Sequence, residues 1–75
     1  MNFKIGDLRD SKEIIEGTGW NEDITLNLQQ IYYQGNGKEE IVYKVLETDY
    51  KTFLSLLYLD NKLLNIKVEI WTQWL

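Results

Sequence analysis

The sequence contains no cysteine and no histidine. Without cysteine, the chain can form neither a disulfide nor a thiolate metal site, which fits a reducing compartment such as the cytoplasm. Without histidine, it lacks the usual general base near neutral pH and the commonest transition-metal ligand. The adjacent carboxylate pairs Glu22-Asp23 and Glu39-Glu40 resemble ordinary solvated neighbours more than a catalytic pair. We therefore expect no enzyme, no catalytic residue, no cofactor and no resident metal.

The sequence is also poor in positive charge and in long apolar runs. Eight basic residues stand against twelve acidic ones, which gives a formal net charge of −4. Because binding to a phosphate backbone relies on clustered Lys and Arg, we expect no direct binding of nucleic acid. The apolar stretch from Phe53 to Leu59 is about a third of the length of a bilayer span, and no targeting segment is visible. We therefore expect a cytoplasmic protein without a membrane partner.

The first part of the chain reads as a short arm. Phe3 to Ile5 predicts a short strand. Asp10 and Glu13 resemble a capping box at the start of a helix of about two turns, which ends at a left-handed Gly17. Trp20 is the large apolar group that can attach the following connection to the rest of the protein, so we expect it to be at least partly buried.

A β-hairpin follows the arm. Two alternating apolar runs flank Asn36-Gly37, which predicts a type I′ turn because both central residues of that turn need positive φ. A two-residue loop at this point pairs residues whose numbers sum to 73. Leu28 then lies opposite Val45, and Ile31 lies opposite Val42 on the other face.

The segment after the hairpin allows two interpretations. Thr48 or Asp49 can cap a helix whose apolar residues recur at helical spacing: Tyr50, Phe53, Leu54, Leu57 and Tyr58. The alternative is a strand from Thr52 to Leu59 that turns at Asp60-Asn61, because the run is short and apolar all round. The cap and the spacing favour the helix. The run from Leu63 to Trp74 then alternates as a strand with one buried face.

The order strand, strand, helix, strand leaves few topologies, because the helix must cover the hydrophobic face and return the chain beside the first strand. We predict a single α+β domain over residues 1–75, with an N-terminal arm (1–22) and a ββαβ body (23–75). Its sheet is three-stranded and antiparallel-centred, in order 2-1-3, with one long helix on one face and a short N-terminal helical arm. The predicted core contains Ile24, Leu26, Leu28, Tyr43, Val45, Ile66, Val68 and Ile70 under Phe53, Leu54 and Leu57.

Apolar side chains also fall on the face that this fold leaves to water. Ile31, Val42 and Tyr33 share the outer face of the hairpin, and Trp71 lies on the outward set of the last strand. The arm can cover this face, or the face can be a protein interface, since Trp and Tyr are enriched at interface hot spots. The acidic arm favours a basic partner surface. The predicted partner-binding residues are Glu13, Glu16, Tyr33, Val42, Phe53, Trp71 and Trp74.

The stretch from Asp23 to Ile70 resembles the small inhibitor of uracil-DNA glycosylase encoded by Bacillus phages. The likeness lies in Asp23-Ile24-Thr25-Leu26, Gly37-Lys38, Asp49-Tyr50 to Leu57, and Ile66-Lys67-Val68. The resemblance implies an acidic, dimeric ββαβ protein whose carboxylates imitate DNA phosphates and whose helix aromatics help capture an apolar side chain of the enzyme. Phe53 matches the helix phenylalanine of that family, whereas Leu57 stands where a tyrosine is expected.

Three functions from different classes follow. We favour a small non-enzymatic protein of a phage or mobile element, which inhibits a host protein, such as a nucleic-acid-handling enzyme, through acidic groups and an apolar or aromatic patch. The alternative is a structural or assembly subunit that forms a homodimer or larger homo-oligomer through its C-terminal edge, Trp71 to Leu75. A small-ligand enzyme needs a deep pocket with converging carboxylates and is the least favoured.

Overall fold

The computed structural model describes residues 1–48 and 51–71. These residues form one five-stranded antiparallel sheet in which every strand lies beside its neighbour in sequence. The elements are β1 (Asn2–Lys4), a 3₁₀ turn (Ile5–Asp7), α1 (Ser11–Thr18), β2 (Thr25–Gly35), β3 (Lys38–Val45), β4 (Lys51–Leu59) and β5 (Lys62–Trp71). The predicted strand from Phe3 to Ile5 is thus present, one residue earlier in the chain.

The predicted three-stranded sheet of order 2-1-3 with one long helix is wrong. Residues 51–59 form β4, which pairs with β3 on one side and with β5 on the other. The alternative interpretation, a strand that turns at Asp60-Asn61, is correct. Both turn residues have positive φ, 49° and 68°, as tight hairpin turns require. Asp49 and Tyr50, which the helix interpretation also used, lie outside the described residues.

The apolar character of β4 on both faces explains the error. A continuous apolar run satisfies the helical spacing and the alternating spacing at the same time, so spacing alone cannot separate them. In the strand, Leu54 and Leu56 are buried on one face. Phe53 and Leu57 alternate with them and lie on the other face, so they do not join the core as predicted.

The turn at Asn36-Gly37 is confirmed, but the predicted hairpin register is wrong. β2 carries two bulges, and each one inserts a residue that turns the side chains beyond it to the other face. Leu28 therefore pairs with Tyr43. For the same reason Ile31 lies on the opposite face from Val42, and the outer apolar set that the sequence predicted is divided between two faces.

The arm packs on one side of the sheet, which we call the covered face. The buried core contains Ile5 and Ile14 from the arm with Leu26, Tyr43, Val45, Leu54, Leu56 and Tyr58 from the sheet. Trp20 is partly buried against this core, as predicted. Val68 and Ile70, which were predicted to be buried, are exposed because the arm does not extend over them.

Helix α1 confirms the short helix of the arm, but its ends differ from the prediction. The left-handed residue that terminates it is Gly19, with φ of 75°, rather than Gly17. Asp10 precedes the helix without making a capping hydrogen bond, so the predicted capping box is absent. The Asp10 carboxylate instead accepts a 3.2 Å hydrogen bond from Nε of Arg9.

Candidate protein-binding groove

The face of the sheet opposite the arm, which we call the open face, carries a groove of about 470 Å³. We call it the open-face groove. Its lining residues come from all four long strands: Tyr32, Glu40, Val42, Lys51, Phe53, Ser55, Glu69 and Trp71. They converge because the strand register places Val42 opposite Ser55 and Phe53 opposite Glu69. The groove is therefore a direct product of the four-strand meander.

Aromatic side chains define the sides of this groove. Tyr32 on β2 and Trp71 on β5 are 44% and 60% exposed, respectively. Between them, Val42 and Phe53 are partly buried and Ser55 is buried. Large rings with a polar tip combine apolar contact area with a hydrogen-bonding group, which is the usual chemistry of protein-binding surfaces. The groove can accommodate an apolar side chain of a partner.

Charged groups surround the apolar part. Nζ of Lys67 lies 2.7 Å from Oε1 of Glu69. The hydrogen bond and charge of Lys67 lower the pKa of Glu69, with a further hydrogen bond from the Trp71 side chain, and the same pair raises the pKa of Lys67. Because exposed ion pairs contribute little to stability, the main effect is to fix a carboxylate beside Trp71. Glu40 supplies a second carboxylate to the lining.

The structure brings three of the predicted partner-binding residues together, namely Val42, Phe53 and Trp71. Phe53 reaches the groove from a strand and not from a helix. Glu13 and Glu16 lie on α1, which packs on the covered face, so they are remote from the groove.

Tyr33 and Trp74 complete the predicted set. Tyr33 pairs with Glu39 near the tip of the β2–β3 hairpin, on the covered-face side of the sheet, and is 76% exposed. Trp74 lies outside the described residues. The predicted set is therefore not a single surface.

Sequence reasoning missed five residues of the groove: Tyr32, Glu40, Lys51, Ser55 and Glu69. If residues 51–59 are taken as a strand, the alternation of side chains along β4 and β5 places Ser55 and Glu69 on the same face as Phe53. The turn residues Asp60-Asn61 were the signal for that strand. The sequence could not assign Tyr32 to the correct face, because that face depends on a bulge in β2 for which the residue types give no signal.

A smaller crevice of about 240 Å³ lies on the covered face, beside the arm. It is lined by Leu8, Arg9, Glu39, Ile41, Tyr43, Leu56, Tyr58 and Asn61. Burial and, to a lesser extent, the charge of Glu39 raise the pKa of Tyr43, so its hydroxyl is protonated at neutral pH. Within residues 1–48 and 51–71, no three or more Asp or Glu side chains gather in a way that could hold a metal ion.

The described part of the chain contains no helix with the length and apolar character needed to cross a bilayer. Comparison of the chain with protein-family models, with curated proteins and with solved structures gives no match.

Proposed function

We propose that this chain is a small non-enzymatic protein, encoded by a phage or mobile element, that blocks a host protein in the host cytoplasm. The contact surface in this proposal is the open-face groove. The observation that carries it is the convergence of Tyr32, Val42, Phe53 and Trp71 on a sheet face that no other described element covers. Exposed aromatic patches of this kind are typical of interfaces.

The composition of the groove supports a protein partner over a small substrate. Its centre is apolar, whereas Glu40, Glu69 and Lys51 contribute charges to its lining. An apolar centre with a polar rim is the usual anatomy of a protein interface. The two carboxylates belong to different strands and are accompanied by lysines, so they do not form the isolated pair that acid–base catalysis uses.

The position of the acidic residues refines the proposal. Glu13 and Glu16 lie on the arm side, so one partner surface cannot contact them and the open-face groove together. We propose that Glu40 and Glu69 supply the negative charge that meets a basic partner surface. A host enzyme that handles nucleic acid presents such a surface. The resemblance to the glycosylase inhibitor suggests this class, although Phe53 would act from a strand here.

The test is affinity capture from a host lysate with tagged wild-type chain and two matched variants. Trp71→Ala and Tyr33→Ala each remove an exposed aromatic ring, the first from the open face and the second from the covered-face side. We expect one host protein to be retained by wild type and Tyr33→Ala and lost with Trp71→Ala, while circular dichroism shows all three folded. Retention of no host protein by the folded wild type would refute the proposal.

A further inference from the structure

The outer edge of β5 is the longest regular unpaired edge of the described sheet. β5 pairs with β4 on one side and with no strand among residues 1–48 and 51–71 on the other. Its ladder is irregular only near Leu63, so the segment from Asn65 to Trp71 is continuous. At the other edge of the sheet, β1 pairs with the first residues of β2, and two bulges interrupt the rest of β2. Bulges discourage edge pairing, so β5 is the edge that remains available to another chain.

We propose that two copies of this chain pair through β5, antiparallel, with Val68 opposite Val68 of the second copy. A twofold axis at this position makes residue numbers across the interface sum to 136. The opposed pairs are then 65 with 71, 66 with 70, 67 with 69, and 68 with itself. With the axis at this position, each of the seven described residues from Asn65 to Trp71 finds a partner in the second copy. The two five-stranded sheets become one ten-stranded sheet.

Charge complementarity selects this register. Lys67 and Glu69 lie on the open face and already form an ion pair within the strand. With the axis at Val68, each Lys67 faces Glu69 of the second copy, and the four charges alternate in sign. If the axis moves to residue 67, Lys67 lies opposite Lys67 of the second copy. If it moves to residue 69, Glu69 lies opposite Glu69. Like charges directly opposite one another destabilise a strand pair, so both neighbouring registers are disfavoured.

The apolar side chains of the covered face agree with the same register. Val68 and Ile70 are 39% and 62% exposed. In the dimer, Ile66 lies against Ile70 of the second copy and Val68 lies against Val68, which joins the exposed residues into one stripe. Contact between these side chains across the two strands removes part of their apolar surface from water and adds to the backbone hydrogen bonds of the paired edges.

The arm leaves room for this arrangement. Gly17 of α1 lies over Ile66, where an ideal Cβ would be 2.8 Å from the Cδ1 atom. The two Ile66 residues of the dimer are offset by four positions along the strands, or about 14 Å at roughly 3.4 Å per residue. This separation exceeds the 8–10 Å at which helices usually pack, so the contact of Gly17 with Ile66 in one copy does not overlap with the same contact in the other.

The dimer also extends the open-face groove. Trp71 comes to lie opposite Asn65 of the second copy, and Glu69 lies opposite the second copy's Lys67. The second copy therefore contributes polar groups to the β5 side of each groove. The inference does not rest on the proposed inhibition of a host protein, because it uses the edge of β5 and would hold if no host protein were bound.

Single cysteines test the register directly, because the chain has none of its own. Val68→Cys places two sulfur-bearing residues opposite each other, within the Cα separation that a disulfide spans. We expect mild oxidation to convert most of this variant to a covalent dimer with twice the 9.0 kDa mass of the chain. Ile66→Cys alone should cross-link at least about tenfold more slowly, because residues more than about 7 Å apart cannot be bridged without movement. An equal mixture of Ile66→Cys and Ile70→Cys should cross-link again.

Charge variants provide a second test that needs no oxidation. Lys67→Glu and Glu69→Lys each oppose like charges in the homodimer, so each should weaken association by about tenfold in analytical ultracentrifugation. Their equal mixture opposes only unlike charges and should form heterodimers as readily as the wild type dimerises. Lys62→Glu makes the same charge change outside the paired segment and should leave association unchanged.

Three results would overturn the proposal. One is a wild-type chain that sediments as a monomer at millimolar concentration. Another is folded Val68→Cys that resists cross-linking while wild type dimerises, which would assign the dimer to another surface. The last is failure of the two charge variants to recover association when mixed. None of these results bears on capture of a host protein through Trp71, so the two proposals fail separately.

Discussion

The guanidinium of Arg9 lies over the ring of Tyr58, with Cζ 5.1 Å from the ring centroid. Arg9 also donates a 2.8 Å hydrogen bond to the carbonyl oxygen of Asn61, in the turn between β4 and β5. The carboxylate of Asp10 contributes to the raised pKa of the Tyr58 hydroxyl. The arm is therefore attached to the end of the sheet by a cation–π contact and a hydrogen bond from Arg9, beside the buried contacts of Ile14.

The tyrosine of this attachment predicts loss of stability at alkaline pH. Burial, together with the hydrogen bond and charge of Asp10, raises the pKa of Tyr58 from 10 to about 12. The folded state therefore holds this proton more tightly than the unfolded state does. The stabilisation is complete below pH 10 and is lost as the pH rises towards 12.

The measurement is urea unfolding of wild type and Tyr58→Phe at several values between pH 9 and pH 12. Phenylalanine cannot ionise, so its free energy of unfolding should fall less steeply over this interval. Tyr33→Phe, which changes an exposed tyrosine, should follow the wild-type curve. Equal slopes for wild type and Tyr58→Phe would contradict the prediction.

Glu47, on the loop after β3, has a carboxylate whose contacts predict that the protein loses stability as the pH falls into the acid range. Glu47 accepts hydrogen bonds from the backbone N–H of Thr25, at 2.8 and 3.0 Å to its two oxygens, and from the Thr25 hydroxyl at 2.8 Å. These hydrogen bonds lower the pKa of Glu47. The stabilisation is present above the ordinary carboxyl pKa of 4.5 and is lost as the pH falls through the lower folded value.

Glu47→Gln should therefore melt at a lower temperature than wild type at pH 7, and the difference should shrink as the pH falls below 4.5 and Glu47 takes up a proton. Thermal unfolding followed by circular dichroism measures this difference at each pH. Glu22→Gln is a control that removes an exposed carboxylate on the arm. A Glu47→Gln deficit that does not shrink at low pH would show that charge on Glu47 is unimportant.

The geometry of the β2–β3 turn predicts that replacing Gly35 or Gly37 by alanine lowers the free energy of unfolding by different amounts. Gly35 and Gly37 have φ of 80° and 79°, so alanine at either position is strained by about 1–2 kcal/mol. At Gly35 an added Cβ meets nothing within 4 Å, whereas at Gly37 it meets the carboxylate of Asp60. Gly37→Ala should therefore lower the free energy of unfolding by about 1 kcal/mol more than Gly35→Ala.

Denaturant unfolding of both variants, alone and with Asp60→Gly, measures this difference. Asp60 has positive φ, so glycine keeps the backbone of that turn while removing the carboxylate. The extra cost at Gly37 should then disappear. If the two alanine variants were equally stable with Asp60 present, the close contact between the two hairpin turns would be disproved.

Neighbouring leucines on β4 test whether residues 51–59 are a strand. Leu56 is 1% exposed in the core, whereas Leu57 lies on the open face and is only partly buried. Leu56→Ala should lower the free energy of unfolding by about 2–4 kcal/mol, and Leu57→Ala by about half as much. Urea titrations of the two variants provide the comparison. A larger loss for Leu57→Ala would support the helical spacing instead.

The sequence contained the local signals for much of this fold. Asn36-Gly37 identified the β2–β3 turn, and Asp60-Asn61 marked the β4–β5 turn in the alternative interpretation, to which the helix was preferred, because few residues other than Gly, Asn and Asp tolerate positive φ. The arm helix and the partial burial of Trp20 also followed from local patterns. These features depend on a few adjacent residues, which is why one sequence sufficed to predict them.

The remaining errors come from information that lies outside any short segment. β4 is apolar on both faces, so only its position between β3 and β5 distinguishes it from a helix. The bulges in β2 reversed the faces of Ile31 and Tyr32, and neither residue marks a bulge. The candidate groove was therefore found in part, through Val42, Phe53 and Trp71, and its other members required the strand register.

Photo-cross-linking in host cells tests most directly whether the open face is the contact surface. A photoreactive benzophenone amino acid would replace Phe53 in the groove or, as the control, Tyr33 on the covered-face side. We predict that irradiation gives one discrete adduct with a host protein from position 53 and none from position 33, and that Trp71→Ala reduces the adduct. Adducts from position 33 with none from position 53 would contradict the account.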